Sequence, residues 1–213
     1  MPLAEQTWTI VVGGGSGRRF GTVKQYEMLG DERVIDRSVA VARMASDGVV
    51  VVVPPEDAER EGAVAGGATR SDSVRAGLAA VPDDATIVCV HDAARPLASP
   101  ELYARAIGAV AAGADGAVPA LPVADTIKVV VDGTVVSTPD RSTLVAVQTP
   151  QAFRAATLRA AHARGGDATD DAALVEQSGG RVVVVDGEAA NRKITVPDDL
   201  DWARDFLGVG VVS

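Results

Sequence analysis

Aromatic residues make up only 3% of this 213-residue chain, although 47% of it is apolar. A core so short of rings must be filled by Val, Ala, Leu and Ile, which suits a parallel sheet covered by helices. The single cysteine, Cys89, excludes an internal disulfide and fits a reducing cytoplasm. No window approaches the roughly 18 to 20 uninterrupted apolar residues of a membrane span. The N-terminal MPLAEQTWTIVV lacks the basic and apolar sections of a secretion signal. Positive charge is scarce as well. With 20 basic against 29 acidic residues the net charge is −9, which argues against broad electrostatic binding to nucleic acid or anionic lipid. Lysine is scarcer still, with Lys24, Lys128 and Lys193 set against seventeen arginines. A site that wants a compact point charge rather than a planar fork is one reason for such survivors; chance is the other.

What the chain has is alternation. Short apolar runs bounded by Gly, Pro or Asp read as buried strands: TWTIVVG (7–13), GVVVVVP (48–54), ATIVCVHD (85–92), GAVPAL (116–121) and RVVVVDG (181–187). Between them, Val34, Ile35, Ser38, Val39, Ala42 and Ala45 fall at helical spacing, as do Val74, Leu78 and Val81. Ser99-Pro100-Glu101, Thr169-Asp170-Asp171 and Pro197-Asp198-Asp199 carry the chemistry of helix starts. The pattern predicts a single α/β domain over residues 1–213, with a doubly wound, mostly parallel sheet flanked by helices. DTIKVVVDGTVVSTPDR (125–141) departs from it, being two β-rich runs around Asp132-Gly133, a hairpin signal. Such a hairpin projects from a parallel sheet as an arm, here about 122–143, and its exposed Val and Ile want a second subunit; folding back on its own domain is the alternative.

GGGSGRRFGTVKQY (13–26) looks like a phosphate cradle. A Walker A loop fails because no Gly-Lys-Ser/Thr follows Gly13 at the required spacing. A dinucleotide fingerprint is poor: the third glycine position holds Phe20 or Arg18, and the second strand ends in Pro54-Pro55 rather than an acid. What remains is a nest of backbone amides for a triphosphate, with Arg19 and Lys24 close by, or a plain glycine-rich turn.

The ordered set GGGSGRRF, KQY, GGATRSDSV, HDAARP, DTIK, DRSTLVAVQTPQ, TDDAALVE and NRKIT resembles the 2-C-methyl-D-erythritol 4-phosphate cytidylyltransferase family over about residues 8 to 207. HDAARP and the order are specific; the glycine loop by itself is not. The resemblance implies transfer of CMP from CTP to the sugar-alcohol phosphate, with release of pyrophosphate, in non-mevalonate isoprenoid precursor synthesis. It assigns Arg19 and Lys24 to the α-phosphorus and the departing pyrophosphate, and Arg141 and Lys193 to the incoming phosphate. Gly13, Gly14, Gly15, Gly17, the Gly66-Gly67 turn and Ser73 would bind the nucleotide. Asp92, Arg95, Thr126 and Thr149 would face the second substrate, with Asp92 also the candidate ligand for Mg²⁺, or for another divalent cation in its place. The arm would cross to a neighbouring subunit, so that Thr126 and Arg141 complete the partner's site in a homodimer. Asp170 is a further candidate near the substrate phosphate. His91 is expected to pack rather than act as a base and His162 to lie idle on a helix surface; for Arg95, a structural or phosphate-facing cation, the alternative is a buried salt bridge to a loop carboxylate.

The chain departs from the family pattern at Gly13 and Gly14, where two alanines are common, at Val23 (a proline), Ala68 (an acid) and Val145 (a large aromatic). Three other readings stand beside the first: a ribitol 5-phosphate cytidylyltransferase, a nucleotide-binding paralogue without catalysis, and an NAD-dependent oxidoreductase.

Overall fold

The computed structural model describes residues 6–14 and 23–210. The predicted glycine-loop positions Gly15, Gly17 and Arg19 lie outside the described residues. The strands are β1 (Thr7–Val12), β2 (Met28–Leu29), β3 (Glu32–Arg33), β4 (Gly48–Val53), β5 (Val64–Ala65), β6 (Ile87–Asp92), β7 (Gly116–Pro122), β8 (Val129–Val131), β9 (Thr134–Ser137), β10 (Val145–Val147), β11 (Gln151–Arg154) and β12 (Val182–Asp186). The helices are α1 (Val34–Ala45), α2 (Ala58–Glu61), α3 (Arg70–Ala80), α4 (Pro100–Ala111), α5 (Ala155–Ala163), α6 (Asp171–Gln177) and α7 (Pro197–Leu207).

The main sheet runs β10-β7-β11-β6-β1-β4-β5, with β12 also paired to β7. β1 lies parallel to both β4 and β6, β4 to β5, and β7 to β12, whereas β10 and β11 pair antiparallel. Alternation along the central strands feeds two cores. Ile10, Val52, Val88 and Val90 meet Val74 and Leu78 of α3, Leu158 of α5 and Val175 of α6. Val11, Val53, Ile87 and Cys89 turn the other way, onto Ile35 and Val39 of α1 and Leu102 and Ala106 of α4. The sheet is thus covered on both sides, as a parallel core requires. A smaller cluster seats Leu200 and Ala203 of α7 against Leu29, Val34 and Ile194.

Two helix starts follow the sequence closely. Ser99 accepts from the Leu102 amide at 3.0 Å to cap α4, and Asp170 accepts from Ala173 at 3.0 Å to cap α6. His162 corrects the expectation of an idle surface residue. It is 3% exposed, and its Nε2 meets Asp171 Oδ1 at 3.0 Å. Leu158, Ala161 and His162 share the buried face of α5, so the spacing that places Leu158 also carries His162 inward.

The arm stands as expected. β8 and β9 form their own two-stranded sheet around Asp132 (φ 47°) and Gly133 (φ 75°), the two left-handed residues that a tight hairpin turn needs. Val129, Val130, Val131, Val135 and Val136 are all exposed on it.

Candidate active site

The chain leaves β1 toward β4 on one side and returns to β6 on the other, so the carboxyl ends of β1 and β6 meet where the strand order reverses. Open α/β sheets bind ligands at that place. A cleft of about 440 Å³ opens there, lined by Val12 at the end of β1 with Gly13 and Gly14 beyond it, Asp92 at the end of β6 with Ala93 and Ala94 beyond it, Gly67 through Arg70, Ser73, Lys24, Gln25 and Lys193. The site residues Gly13, Gly14, Lys24, Gly67, Ser73, Asp92 and Lys193 are therefore brought together. So is Ala68, one of the departures.

The cations are held from behind. Lys24, in a single 3₁₀ turn, donates to the Ile194 carbonyl at 2.8 Å. Ile194 in turn donates its amide to the Ala94 carbonyl at 2.8 Å, which pins the strand-like loop carrying Lys193 to the segment after β6. Lys193 Nζ lies 2.6 Å from Asp92 Oδ2. The other oxygen of Asp92 faces Arg70 Nε at 3.4 Å, and Arg70 Nη1 meets Asp171 Oδ2 at 2.7 Å. Burial alone would raise the Asp92 carboxyl. The Lys193 and Arg70 charges, the Lys193 hydrogen bond and Arg95 outweigh it and hold the group well below the usual carboxylate range. Asp92 is thus an anion that organises two cations.

Behind Asp92 the polar groups form one satisfied chain. His91 Nε2 faces the Arg95 carbonyl at 3.2 Å, which can only accept, so this nitrogen carries the proton. Nδ1 then accepts from Thr149 Oγ1 at 3.2 Å, and the same hydroxyl oxygen accepts the Asp92 amide at 3.0 Å. Burial pushes the His91 imidazole down to about 4, with Asp92 and the Arg95 carbonyl opposing. His91 packs and orients, as expected.

Arg95 does not meet a loop carboxylate. Its guanidinium donates to the carbonyls of Asn191 at 2.8 Å and Val147 at 3.4 Å, because the turn after β6 faces two returning backbone segments rather than an acid. Arg95, Thr149 and Asp170 line a second recess of about 200 Å³ that shares Arg70, Asp92 and Lys193 with the main cleft. Asp170 is occupied there: besides capping α6, it accepts from Gln151 Nε2 at 2.8 Å.

Ser73 is not the cap of α3. Thr69 is, in a reciprocal capping box with Asp72, which frees the Ser73 hydroxyl to accept from the Gly67 amide at 3.2 Å and donate to the Thr69 carbonyl at 3.0 Å. It shapes the loop floor. Arg141 and Thr126 are exposed on the arm and line neither of these recesses within one chain. Arg141 donates to the Ala124 carbonyl at 2.8 Å, at the arm's base.

Sequence reasoning missed Arg70, which lines both recesses, and its partner Asp171. The signal was present: GGATR ends on a cation at the first position of a helix, beside a glycine turn already assigned to the site. Among the described residues no cluster of three His, Cys, Asp or Glu side chains is placed to hold a metal ion, and no helix is long and apolar enough to cross a membrane.

The family model of 2-C-methyl-D-erythritol 4-phosphate cytidylyltransferase matches residues 7–208. A relative of that name from Rhodococcus jostii is 47% identical over 215 residues, covering 94% of this chain and 95% of its own length. A bifunctional enzyme IspD/IspF from Nitratidesulfovibrio vulgaris is 44% identical over 92% of this chain, which spans only 56% of that relative. The chain therefore corresponds to little more than half of such bifunctional relatives. The crystal structure of 2-C-methyl-D-erythritol 4-phosphate cytidylyltransferase from Thermus thermophilus superposes with a TM-score of 0.80 at 36% identity, covering 94% of this chain and 98% of that one.

Proposed function

Since this chain belongs to the 2-C-methyl-D-erythritol 4-phosphate cytidylyltransferase family, we propose that it transfers CMP from CTP to 2-C-methyl-D-erythritol 4-phosphate, releasing pyrophosphate, in isoprenoid precursor synthesis. The observation that carries this reading is the convergence of Lys24 and Lys193 on the cleft where β1 and β6 end.

A phosphate monoester oxygen attacks the α-phosphorus, one P–O bond forms, and the bond to the departing pyrophosphate breaks. The nucleophile is already anionic, so no general base is required, in keeping with His91 buried and fully committed. The barrier is electrostatic: one anion must approach another. Positioning and charge neutralisation then make up the catalysis. Lys24, with Arg19, stabilises the α-phosphorus and the leaving group. Lys193 holds the incoming phosphate, joined by Arg141 of a partner subunit. Gly13, Gly14, Gly67 and the Ser73 hydroxyl form the floor on which the cytidine lies; Gly15 and Gly17 are assigned to the nucleotide by the family resemblance alone. Thr149 and Arg95 border the second substrate, joined by Thr126 of the partner subunit.

A divalent cation, Mg²⁺ for preference, would supply further charge neutralisation on the triphosphate. Asp92 is the one carboxylate among the described residues that line the cleft, and both its oxygens already face cations. The residues fit an ion carried mainly by triphosphate oxygens and water, as Mg²⁺ commonly is, with Asp92 its protein contact.

In this reading the chain is one nucleotidyltransferase domain, and the arm at about 122–143 joins two copies as a homodimer. The exposed valines of β8 and β9 support that arrangement, being costly to leave in water. A cytoplasmic reaction agrees with the supply of CTP and with the lone, buried Cys89.

The test is turnover of CTP and Mg²⁺ with each alditol phosphate in turn. Pyrophosphate release with 2-C-methyl-D-erythritol 4-phosphate is expected. Preference for ribitol 5-phosphate, or no release with either, would overturn the reading.

A further inference from the structure

Four charges stand in a row of alternating sign: Asp171, Arg70, Asp92, Lys193. The two cations that share Asp92 are unlike each other. Arg70 is fastened. Its Nη1 is 2.7 Å from Asp171, which is fully buried and is itself held through its other oxygen by His162. Arg70 also begins α3, so its backbone is fixed by the helix. Lys193 is not fastened in this way. It lies in a segment without regular structure, its side chain is 41% exposed, and among the described residues its ammonium group is held by Asp92.

The distances differ in the opposite sense. The loose cation makes the tight contact, at 2.6 Å, and the fastened one the long contact, at 3.4 Å. If Lys193 is to hold a substrate phosphate, as the proposed function requires, it must loosen its grip on Asp92. In the absence of CTP and the divalent cation that would come with it, a carboxylate that is 12% exposed cannot be left without a cation except at large cost, since removal of one partner leaves the other buried and uncompensated. Arg95 adds its charge from nearby but makes no direct bond to Asp92, since its Nη1 and Nη2 donate to backbone carbonyls.

We infer that Arg70 is the standby counter-ion of Asp92: it keeps the carboxylate paired when Lys193 turns to the phosphate of the incoming substrate, and so sets how readily Lys193 is released. Arg70 is then a positioning residue, with Asp171 as its anchor. It acts on the alditol phosphate through Lys193 and leaves the handling of CTP by Lys24 nearly unchanged. The inference rests on the role proposed above for Lys193.

The chain's three lysines make the test direct, because isotope-labelled lysine side chains give at most three ammonium-linked NMR signals. Lys193→Arg identifies the Lys193 signal. In the wild-type protein, titration with 2-C-methyl-D-erythritol 4-phosphate is expected to move that signal. In Arg70→Gln the midpoint should rise roughly tenfold or more, because the ammonium stays locked on Asp92. The response of Lys24 to CTP should stay within about twofold, because Arg70 acts on Asp92 and, through it, on Lys193. Arg70→Lys keeps the charge but cannot reach both acids at once, so a rise of a few-fold is expected, and this variant carries the test if Arg70→Gln does not fold. Arg159→Gln, which removes the bonds from α5 to the carbonyls of Leu78, Val81 and Pro82, serves as the control for lost stability alone; both midpoints should be unmoved. Midpoints for Lys193 within about twofold of wild type in the Arg70 variants would overturn the inference, as would an equal shift in the Lys24 response. If no lysine signal moves in the wild-type protein, the proposed function itself fails and this inference falls with it.

Discussion

Lys24 donates to the carbonyl of Ile194, the residue next to Lys193, across 170 positions of sequence. That bond joins the loop after β1 to the segment before α7 and sets two of the chain's three lysines around one cleft. In a protein of net charge −9, Lys24, Lys193 and Arg70 outnumber Asp92, the one carboxylate among the described residues that line the cleft.

The glycine floor should be uneven in its tolerance. A Cβ on Gly66 would lie 2.8 Å from Ser73 Oγ and 3.1 Å from the Val53 carbonyl, neither of which can retreat without breaking the loop's hydrogen bonds. Gly66→Ala should cost about 1–3 kcal/mol and raise KM for CTP. Among the described residues a Cβ on Gly14 meets the Ser73 side chain, its Oγ at 3.2 Å, an approach relieved by a shift of a few tenths of an ångström that keeps the hydroxyl's bonds. Gly14→Ala should fold as well as wild type and gain about 0.4–1 kcal/mol from the stiffer unfolded chain. Thermal melts and CTP kinetics of the two variants check this contrast.

Stability should fall with pH in a window set by His91. Burial lowers this imidazole from 6.5 to about 4, so between those values the unfolded chain binds a proton that the folded one refuses. The contribution is complete above 6.5 and is lost as pH falls toward 4. Asp92, whose folded carboxyl is depressed, adds its own loss only lower, as pH drops below the ordinary carboxylate value of 3.8. Denaturant melts between pH 7 and pH 4 should therefore weaken with a slope that His91→Gln lowers by about 1.4 kcal/mol per pH unit. An unchanged slope would show that His91 accepts its proton in the folded state.

The arm gives a prediction that needs two defective proteins. If Arg141 reaches the partner's cleft, then Lys24→Met and Arg141→Met are each inactive, yet a mixed dimer holds one intact site. Co-expressed from differently tagged copies, the two should recover about a quarter of the wild-type rate, because half the dimers are mixed and half their sites are whole. Activity no greater than the sum of the separate variants would mean that the arm does not complete the partner's site.

The main frame was legible because its strands are short Val-rich runs ended by Gly, Pro or Asp, and β1, β4, β6, β7 and β12 lie where those runs fall. Asp132-Gly133 announced the arm for the same local reason: few other residues accept two successive left-handed conformations. β10 and β11 were not legible. They are three and four residues long, and their antiparallel pairing with β7 and β6 is decided by where the chain returns from the arm, not by any pattern of their own.

The site was half legible. Motif order named Lys24, Asp92 and Lys193, which share the cleft; the salt bridge weighed as the alternative for Arg95 is replaced by bonds to the carbonyls of Asn191 and Val147. It passed over Arg70, whose partner Asp171 is 101 residues distant. Ion pairs of that kind depend on which helix ends face each other across the sheet, and spacing along the chain does not encode this. Ser73 shows a smaller version of the same limit. Its position in the first turn of α3 suggests a cap, whereas the capping box of Thr69 and Asp72 takes that role and leaves its hydroxyl to the loop.

The central claim, that scattered cations meet in one cleft to bring two anions together, is tested most directly by steady-state kinetics of Lys24→Met and Lys193→Met with CTP and 2-C-methyl-D-erythritol 4-phosphate. The account predicts that Lys24→Met lowers kcat on the order of a hundredfold or more, and that Lys193→Met chiefly raises KM for the alditol phosphate. Lys24→Met should melt close to wild type, and Lys193→Met should stay folded with some loss of stability, since Asp92 then keeps Arg70 as its direct partner. Turnover by both variants within a few-fold of wild type would contradict it.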